Sequence, residues 1–336
     1  MRVSRGAGSI AGATAAAAGT LCGCAREGSN EPVQSVLAPA SRAAGAIEWL
    51  WWLMFWVCTA IFVLVLVLLV IALLRRRRAD RPAPPLGQGF IIALGIVMPA
   101  VVLVGFLIAN LVIARDITEH DAALTIRVVG RQWWWHVEYP EHGIVGANEI
   151  HIPAGVPVRL ELRSADVIHS FWVPRLAGKM DMTPGVEITN LVIRADAPGT
   201  YRGQCAEYCG TQHALMAFHV VALPPDQFDE WVERARRPAA PPADERLLRG
   251  YKAFSDAACG NCHAIRGTEF TGRIGPDLTL LGSRLTLGAG TVPNNRGNLE
   301  GWISNPQAIK PGNLMPPTYL SADELHAMAD YLETLK

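Results

Sequence analysis

The chain has no net charge, because 30 lysines and arginines balance 30 aspartates and glutamates. Without a basic surplus it lacks the electrostatic footprint of a nucleic-acid binder, so we expect no nucleic-acid partner. Charge is also missing locally: no charged residue occurs from Trp49 to Leu74. The 336 residues leave room for two or three domains, and this early apolar skew predicts a membrane portion followed by an exported portion.

Two long apolar runs predict a transmembrane hairpin within residues 45–116. Helices are expected at about 49–74 and 90–113, since a span needs about 20 apolar residues. The four arginines Arg75–Arg78 follow the first run and should stay in the cytoplasm. The first helix would then run inward across a bacterial inner membrane, and everything after the second helix would lie on the periplasmic side. Pro99 is expected to kink the second helix.

The first 23 residues have the character of a signal peptide. Arg2 and Arg5 precede a short, weakly apolar run that ends at Leu21. The sequence Leu21-Cys22-Gly23-Cys24 resembles a bacterial lipobox, in which cleavage precedes a cysteine that receives lipid, and Cys24 is the candidate. Ordinary cleavage nearby, without lipid, is the alternative.

Short alternating runs punctuated by proline and glycine follow from Leu124 to Leu223. Alternation with period two predicts strands that bury one face, and several such strands predict an antiparallel β-sandwich. We assign residues 120–234 to this domain. The predicted strand runs are 124–129, 149–152, 157–162, 187–193 and 218–221.

The chain has seven cysteines, and their positions matter more than their number. Near the end of the sandwich, soft ligands fall within twelve residues: Cys205, Cys209, His213 and Met216. Thiolate, thioether and imidazole together favour copper, and His169, placed between two predicted strands, is the candidate second imidazole. Three alternatives are a disulfide between the two cysteines, a Cys/His zinc site, and a purely packing role for the methionine.

The spacing Cys205-x-Glu207-x-Cys209-x-x-x-His213-x-x-Met216 resembles the copper loop of cytochrome c oxidase subunit II. The resemblance implies a cupredoxin-like sandwich that holds a dinuclear copper centre, CuA. It makes Cys205 and Cys209 the bridges between the two coppers.

The same resemblance implies the remaining ligands. One copper adds His169 and Met216, and the other adds His213 and the backbone carbonyl of Glu207. The side chain of Glu207 would point toward a magnesium ion shared with subunit I. Upstream, Gln132-Trp133-Trp134-Trp135 resembles the aromatic motif of the same family. It implies Trp133 as the surface residue through which electrons enter, whereas the next two tryptophans are predicted to pack.

A Pro/Ala-rich linker at residues 235–244 is predicted to be semi-rigid and to let the next domain reposition over the copper site. The sequence Cys259-Gly-Asn-Cys262-His263 follows, which is the attachment signature of c-type haem. Both cysteines would form thioethers and the histidine would bind the iron. Met315 is the expected sixth ligand, because Met/His ligation is typical of cytochromes c. Its competitor, Met328, lies in a helical pattern.

Residues 245–336 are therefore predicted to form an all-α class I cytochrome c domain. Gly275-Pro276-Asp277 resembles the segment whose backbone carbonyl orients the proximal histidine in that class. The predicted helical runs are 244–255, 299–304 and 321–335.

Together these motifs resemble subunit II of a cytochrome-c-fused, aa-type oxidase. The resemblance implies that electrons pass from a soluble or membrane-bound cytochrome to haem c, then to CuA, and then to haem in subunit I. Oxygen would be reduced to water there, with proton translocation, so this chain would be a redox relay. Oxidase subunits I and III and membrane lipid are the implied partners.

One departure from the family concerns the start of the second helix. Many relatives carry a glutamate there that serves a proton channel of subunit I, whereas Leu86-Gly-Gln-Gly-Phe90 has no carboxylate. This puts a proton-uptake role in question. Two alternative functions are the same module in a nitric oxide reductase and a copper carrier or assembly factor with a haem sensor.

Overall fold

The computed structural model describes residues 34–78, 87–117, 121–186 and 188–336. The predicted signal peptide with Cys24, and most of the proline-rich turn between the apolar runs, lie outside the described residues. The described chain confirms the predicted fold class, with two apolar helices, a β-sandwich of two sheets and a helical C-terminal domain.

The first apolar run forms helix α1 (Arg42–Arg78). The second run forms helix α2 (Gln88–Ile92), a π-helical turn (Ala93–Val97) and helix α3 (Met98–Asp116). Both runs are long and apolar enough to cross a membrane. None of the residues in their most apolar stretches is buried against the rest of the described chain. The π-helical turn directly precedes Pro99, whose missing N–H cannot continue the α-helical hydrogen-bond ladder.

Helix α1 begins seven residues before the predicted span, where the chain leaves the sandwich. Ser41 is bonded in both directions: its hydroxyl accepts from the N–H of Ala44 in the first turn at 3.0 Å and donates to the carbonyl of Leu176 at 2.5 Å. The preceding Ala40 donates its N–H to Arg175 at 2.8 Å. The membrane helix is therefore joined to the sandwich by a hydrogen-bonded segment.

Ten strands build the sandwich: β1 (Leu124–Arg131), β2 (Trp134–Tyr139), β3 (Ile144–Ala147), β4 (Glu149–Pro153), β5 (Val158–Ser164), β6 (His169–Trp172), β7 (Met180–Met182), β8 (Thr189–Ile193), β9 (Gly199–Cys205) and β10 (Ala217–Leu223). One sheet has the order β3-β2-β1-β5-β8 and the other β4-β10-β9-β6-β7.

The sandwich is not wholly antiparallel as predicted. Strands β1 and β5 pair in parallel, and so do β4 and β10. In each pair the chain crosses to the opposite sheet before it returns, so it enters both strands from the same end. Local alternation predicts strands but carries no information on this crossover.

An aromatic cluster fills the sandwich core beneath the copper loop. Trp135 is fully buried, as predicted, and its ring centre lies 4.9 Å from that of Phe218 and 5.8 Å from that of Phe171. It also lies 6.2 Å from the ring of His169. The candidate ligand His169 therefore packs against an aromatic floor, the cluster formed by Trp135, Phe171 and Phe218.

Helix α4 (Pro225–Ala235) closes the sandwich and leads to the C-terminal domain. That domain contains helices α5 (Glu245–Asp256), α6 (Arg296–Ser304), α7 (Pro306–Ile309) and α8 (Ala322–Glu333). It is not purely helical, since β11 (Thr286–Leu287) pairs with β12 (Val292–Pro293). Gly288 and Gly290 have φ of 62° and 78°, which turns the chain back on itself into this hairpin.

The Pro/Ala-rich linker contacts the C-terminal domain in this structure. Ala239 donates its N–H to the carbonyl of Arg266 at 2.8 Å, and Pro238 packs against Gly267. These contacts begin a few residues after α4. The repositioning of the next domain over the copper site stays a prediction.

Candidate functional site

The loop between β9 and β10 brings the two sandwich cysteines together. Cys205 ends β9, and its buried sulfur lies 3.7 Å from the buried sulfur of Cys209. A disulfide requires about 2.05 Å, so the disulfide alternative is wrong for this structure. A metal about 2.3 Å from a thiolate can contact both sulfurs at this separation.

Three more donor atoms of the same loop turn toward the sulfurs. The Nδ1 of His213 and the Sδ of Met216 each lie 3.7 Å from the sulfur of Cys209. The carbonyl oxygen of Glu207 lies 3.1 Å from the sulfur of Cys205. The loop closes because the N–H of Cys205 donates to the carbonyl of Met216 at 2.9 Å.

His169 reaches the same place from another strand. It is the first residue of β6, not part of an interstrand loop as predicted, and β6 pairs with β9 so that Phe171 lies opposite Cys205. Its Nδ1 lies 3.9 Å from the sulfur of Cys205. The fully buried ring needs Gly130 beside it, since a β-carbon there would stand 2.8 Å from the histidine Cδ2.

Asp166 fixes the orientation of this imidazole and was not among the predicted site residues. Its carboxylate accepts from the Nε2 of His169 at 2.7 Å, which leaves Nδ1 facing the sulfurs. Burial opposes protonation of His169, but hydrogen bonds with Cys205 and Asp166 outweigh it and raise the pKa of the ring. The available signal was an acidic residue three positions before a candidate ligand.

The two thiols are coupled by a hydrogen bond. The hydrogen bond from Cys209 holds the pKa of Cys205 well below its ordinary value. The same bond, followed by burial, raises the pKa of Cys209 above its ordinary range. The metal-free pair therefore carries one negative charge at neutral pH, and a metal bridging both sulfurs must displace the second proton.

The donor set fits copper better than the other metals considered. Ligand atoms of His169, Cys205 and Cys209 lie within 4.8 Å of one another. With the second imidazole, the thioether and the carbonyl, the donors outnumber the four that a closed zinc site uses. Met216 is fully buried, yet it directs its sulfur at a thiol, so it does more than pack.

Trp133 lies between this loop and the C-terminal domain. Its indole N–H donates to the carbonyl of Cys209 at 2.9 Å, and the side-chain amide of Gln132 donates to the same oxygen at 2.9 Å. Its own backbone carbonyl accepts from Lys310 of the C-terminal domain at 2.9 Å. The tryptophan is partly buried, and its role as the entry point for electrons stays a prediction.

The haem-attachment signature occupies a short turn after α5. Cys259 and Cys262 are both free and partly buried. The Nδ1 of His263 lies 2.7 Å from the carbonyl of Pro276, the arrangement predicted for an oriented proximal ligand. Burial lowers the pKa of His263, which keeps the ring neutral and its Nε2 available to iron. Gly275 permits this approach, since a β-carbon there would lie 2.5 Å from the ring.

Met315 lies in the loop before α8 and is held by two neighbours. Its N–H donates to the Oδ1 of Asn313 at 2.8 Å, and its carbonyl accepts from Gln307 at 2.9 Å. The competitor Met328 is 1% exposed in the domain core, as predicted.

Large apolar side chains stand exposed beside both candidate haem ligands. Ile274, next to the Gly275–Pro276 anchor, is 72% exposed, and Leu314, next to the candidate methionine, is 74% exposed. A porphyrin face has the apolar character to cover them, so the residues present fit covalent haem.

Two family profiles match the chain. Residues 143–223 match the profile described as cytochrome c oxidase subunit II, periplasmic domain, and residues 247–336 match cytochrome c. Cytochrome c oxidase subunit 2 of Bacillus sp. (strain PS3) is 33% identical over 256 residues, which are 73% of this chain and 72% of the relative. The chain belongs to the cytochrome c oxidase subunit II family.

Two further proteins match a smaller share of this chain. Cytochrome c oxidase subunit 2 of Alkalihalophilus pseudofirmus is 40% identical over 217 residues, 64% of this chain, and the match spans 62% of that relative's length. The crystal structure of the periplasmic domain of subunit II of cytochrome oxidase of Bradyrhizobium japonicum is 30% identical and covers 35% of this chain and 97% of that one, with a TM-score of 0.34. The two matched profiles imply copper and haem c in general for this subunit II, anchored by its two apolar helices.

Proposed function

We propose that this subunit II receives electrons at its own haem c, passes them to a dinuclear CuA centre, and delivers them to haem in oxidase subunit I. Oxygen would be reduced to water in subunit I, coupled to proton translocation. The observation that carries this proposal is the convergence of two thiols, one imidazole and a thioether of the β9–β10 loop with the imidazole of His169 from β6.

The copper ligands follow from the contacts on this loop. Cys205 and Cys209 bridge the two coppers in the proposal, which suits their paired sulfurs. His169 and Met216 complete one copper, while His213 and the carbonyl of Glu207 complete the other. Bound copper would supply one-electron storage, and the hydrogen bonds of the loop limit how far the ligands move.

The haem c site is proposed on the same basis. Cys259 and Cys262 would hold the porphyrin through thioethers, and His263 and Met315 would be the axial ligands. Trp133 is the proposed residue through which electrons enter the copper centre. Its hydrogen bonds to the carbonyl of Cys209 on one side and to Lys310 on the other support that position.

Partners are proposed from exposed groups. The side chain of Glu207 is exposed although its carbonyl faces the sulfurs, which suits a magnesium site shared with subunit I. The apolar helices would contact subunits I and III and lipid in a bacterial inner membrane, with the sandwich and the cytochrome c domain on the periplasmic side. A soluble or membrane-bound cytochrome would be the donor.

The missing glutamate also bears on proton uptake. The described start of the second span, Gly87–Phe90, carries no carboxylate that could relay a proton. We propose that proton entry in this oxidase is either built differently or uses another residue in place of that glutamate.

Copper EPR on the purified full complex tests the proposal. We expect the multiline pattern of one unpaired electron shared by two copper nuclei, and Cys209→Ser should abolish it because one bridge is lost. A pattern from a single copper would refute CuA and favour a copper carrier. Oxygen consumption by the complex, compared with nitric oxide consumption, separates an oxidase from a nitric oxide reductase.

A further inference from the structure

Lys310 is a buried cation with no carboxylate partner among residues 34–78, 87–117, 121–186 and 188–336. It is 2% exposed, and its ammonium donates to the carbonyls of Trp133 and Gly288 at 2.9 Å each. Burying a lysine amine is costly unless it is hydrogen-bonded or paired with a negative charge. Two neutral carbonyls satisfy the hydrogen bonds but supply no charge.

This lysine is linked to the copper loop by one residue. Burial lowers the pKa of Lys310 to about 7, and Cys209 opposes that shift. Trp133 joins the two, because its carbonyl holds the ammonium and its indole N–H holds the carbonyl of Cys209. The lysine therefore contacts the copper loop through a single intervening residue.

The cytochrome c domain is fixed on the sandwich at two further points. Ala217, which follows the candidate ligand Met216, donates its N–H to the carbonyl of Ala289 at 2.9 Å. Glu149 of β4 accepts from the N–H of Leu285 at 2.5 Å. Both contacts involve residues at or next to the β11–β12 hairpin, and Lys310 bonds the carbonyl of Gly288 in the same hairpin. Its ammonium is therefore held in one place relative to the copper loop.

We propose that Lys310 is a positioning residue of the copper centre: its ammonium, delivered by the cytochrome c domain, acts through Trp133 and raises the copper reduction potential. The inference deepens the CuA function proposed above and rests on it. Electron transfer from a bound haem c to bound copper would oxidise the haem iron and reduce the copper pair, with no bond made or broken. A nearby positive charge stabilises the form that has gained the electron, so it favours transfer toward copper.

The test compares the copper potential of Lys310→Met with that of the unaltered complex. Spectroelectrochemistry on the full complex at pH 6, where the amine is charged, should show a lower potential in the variant. We expect the haem-to-copper equilibrium to change about threefold to tenfold, and tenfold is 59 mV for a one-electron couple. Lys310→Arg keeps the charge and should restore most of the shift.

Lys252→Met is the matched control, since it removes an exposed lysine of α5 in the same domain. Hydrogen exchange at the amides of Ala217 and Leu285 reports whether the domain stays in place, independently of electron transfer. An unchanged potential in Lys310→Met, an equal shift in Lys252→Met, or loss of amide protection in Lys310→Met would each overturn the electrostatic role. Absence of the dinuclear copper EPR pattern would instead refute the proposed function itself.

Discussion

Replacement of Asp166 by alanine should weaken copper binding without removing any ligand. The carboxylate accepts from the Nε2 of His169 at 2.7 Å and from the backbone N–H of Gln132 at 2.7 Å. Loss of the first bond frees the imidazole to turn its Nδ1 away from the sulfurs. Loss of the second loosens the segment that leads into Trp133.

The size of the effect follows from the exposure of the carboxylate. Removing a group that orients a metal-bound histidine costs about 10- to 100-fold in metal affinity. The side chain of Asp166 is 30% exposed, so water screens part of the interaction. We therefore expect the lower half of that range, about 10- to 30-fold, equal to about 1.4 to 2 kcal/mol. Asp166→Asn keeps an acceptor and should lose less.

A chelator competition titration, read by copper absorption and EPR, measures this loss. Asp196→Ala is a matched control, because Asp196 is a half-exposed aspartate of the same domain paired with Arg194. Wild-type affinity in Asp166→Ala would show that the aromatic floor alone orients His169. Equal losses in both variants would point to general destabilisation of the sandwich.

Three further outcomes are expected. Gly275→Ala places a methyl 2.5 Å from the proximal imidazole and should weaken the low-spin haem spectrum, whereas Gly301→Ala, whose new methyl meets its nearest neighbour at 3.6 Å, should leave that spectrum intact. Met315→Ala should abolish the low-spin Met/His spectrum; retention of it would place the sixth ligand elsewhere, while Met328→Ala should lower thermal stability and keep the spectrum. Burial raises the pKa of Glu149 to about 7, so the folded chain keeps a proton that the unfolded chain releases above its ordinary pKa of 4.5. Stability should therefore fall by about 3 kcal/mol as pH rises from 4.5 to 7, and Glu149→Gln should flatten this slope in unfolding curves of the full chain; an equal slope in the variant would contradict the assignment.

Local patterns in the sequence predicted the features whose residues are close together in the chain. The two apolar runs exceed the length of a span, and the haem signature and most copper donors each fall within a dozen residues. Those spacings carry their chemistry without knowledge of the fold. The predicted fold class is confirmed for the same reason, because alternation, helical periodicity and apolar length are local properties.

Strands that lack alternation could not be predicted in this way. In β6, three of the four residues are buried, so His169-Ser170-Phe171 shows no period of two. Strand β9 contains Gly199 and Gly203, which weaken any strand signal. This pattern therefore does not identify His169 as a strand residue, although it begins β6 opposite Met182 and its Nδ1 lies 3.9 Å from the sulfur of Cys205.

Contacts between residues far apart in the sequence could not be predicted from local patterns either. Lys310 meets the carbonyl of Trp133 across 177 positions of sequence, and no spacing rule links two such residues. Asp166 lies only three residues before His169 in the sequence, but an aspartate at that spacing from a histidine has many possible roles. Only the turn into β6 shows that its carboxylate faces Nε2.

Ser41 couples the first membrane helix directly to the sandwich. The same hydroxyl caps the helix and bonds the sandwich, and Ala40 beside it is bonded on both its N–H and its carbonyl. In the described chain, α1 therefore begins at a segment that is hydrogen-bonded to the sandwich. The height of the copper loop above the lipid surface would therefore be set by how deeply α1 inserts into the bilayer. A thinner or thicker bilayer would tilt or raise the sandwich together with this helix.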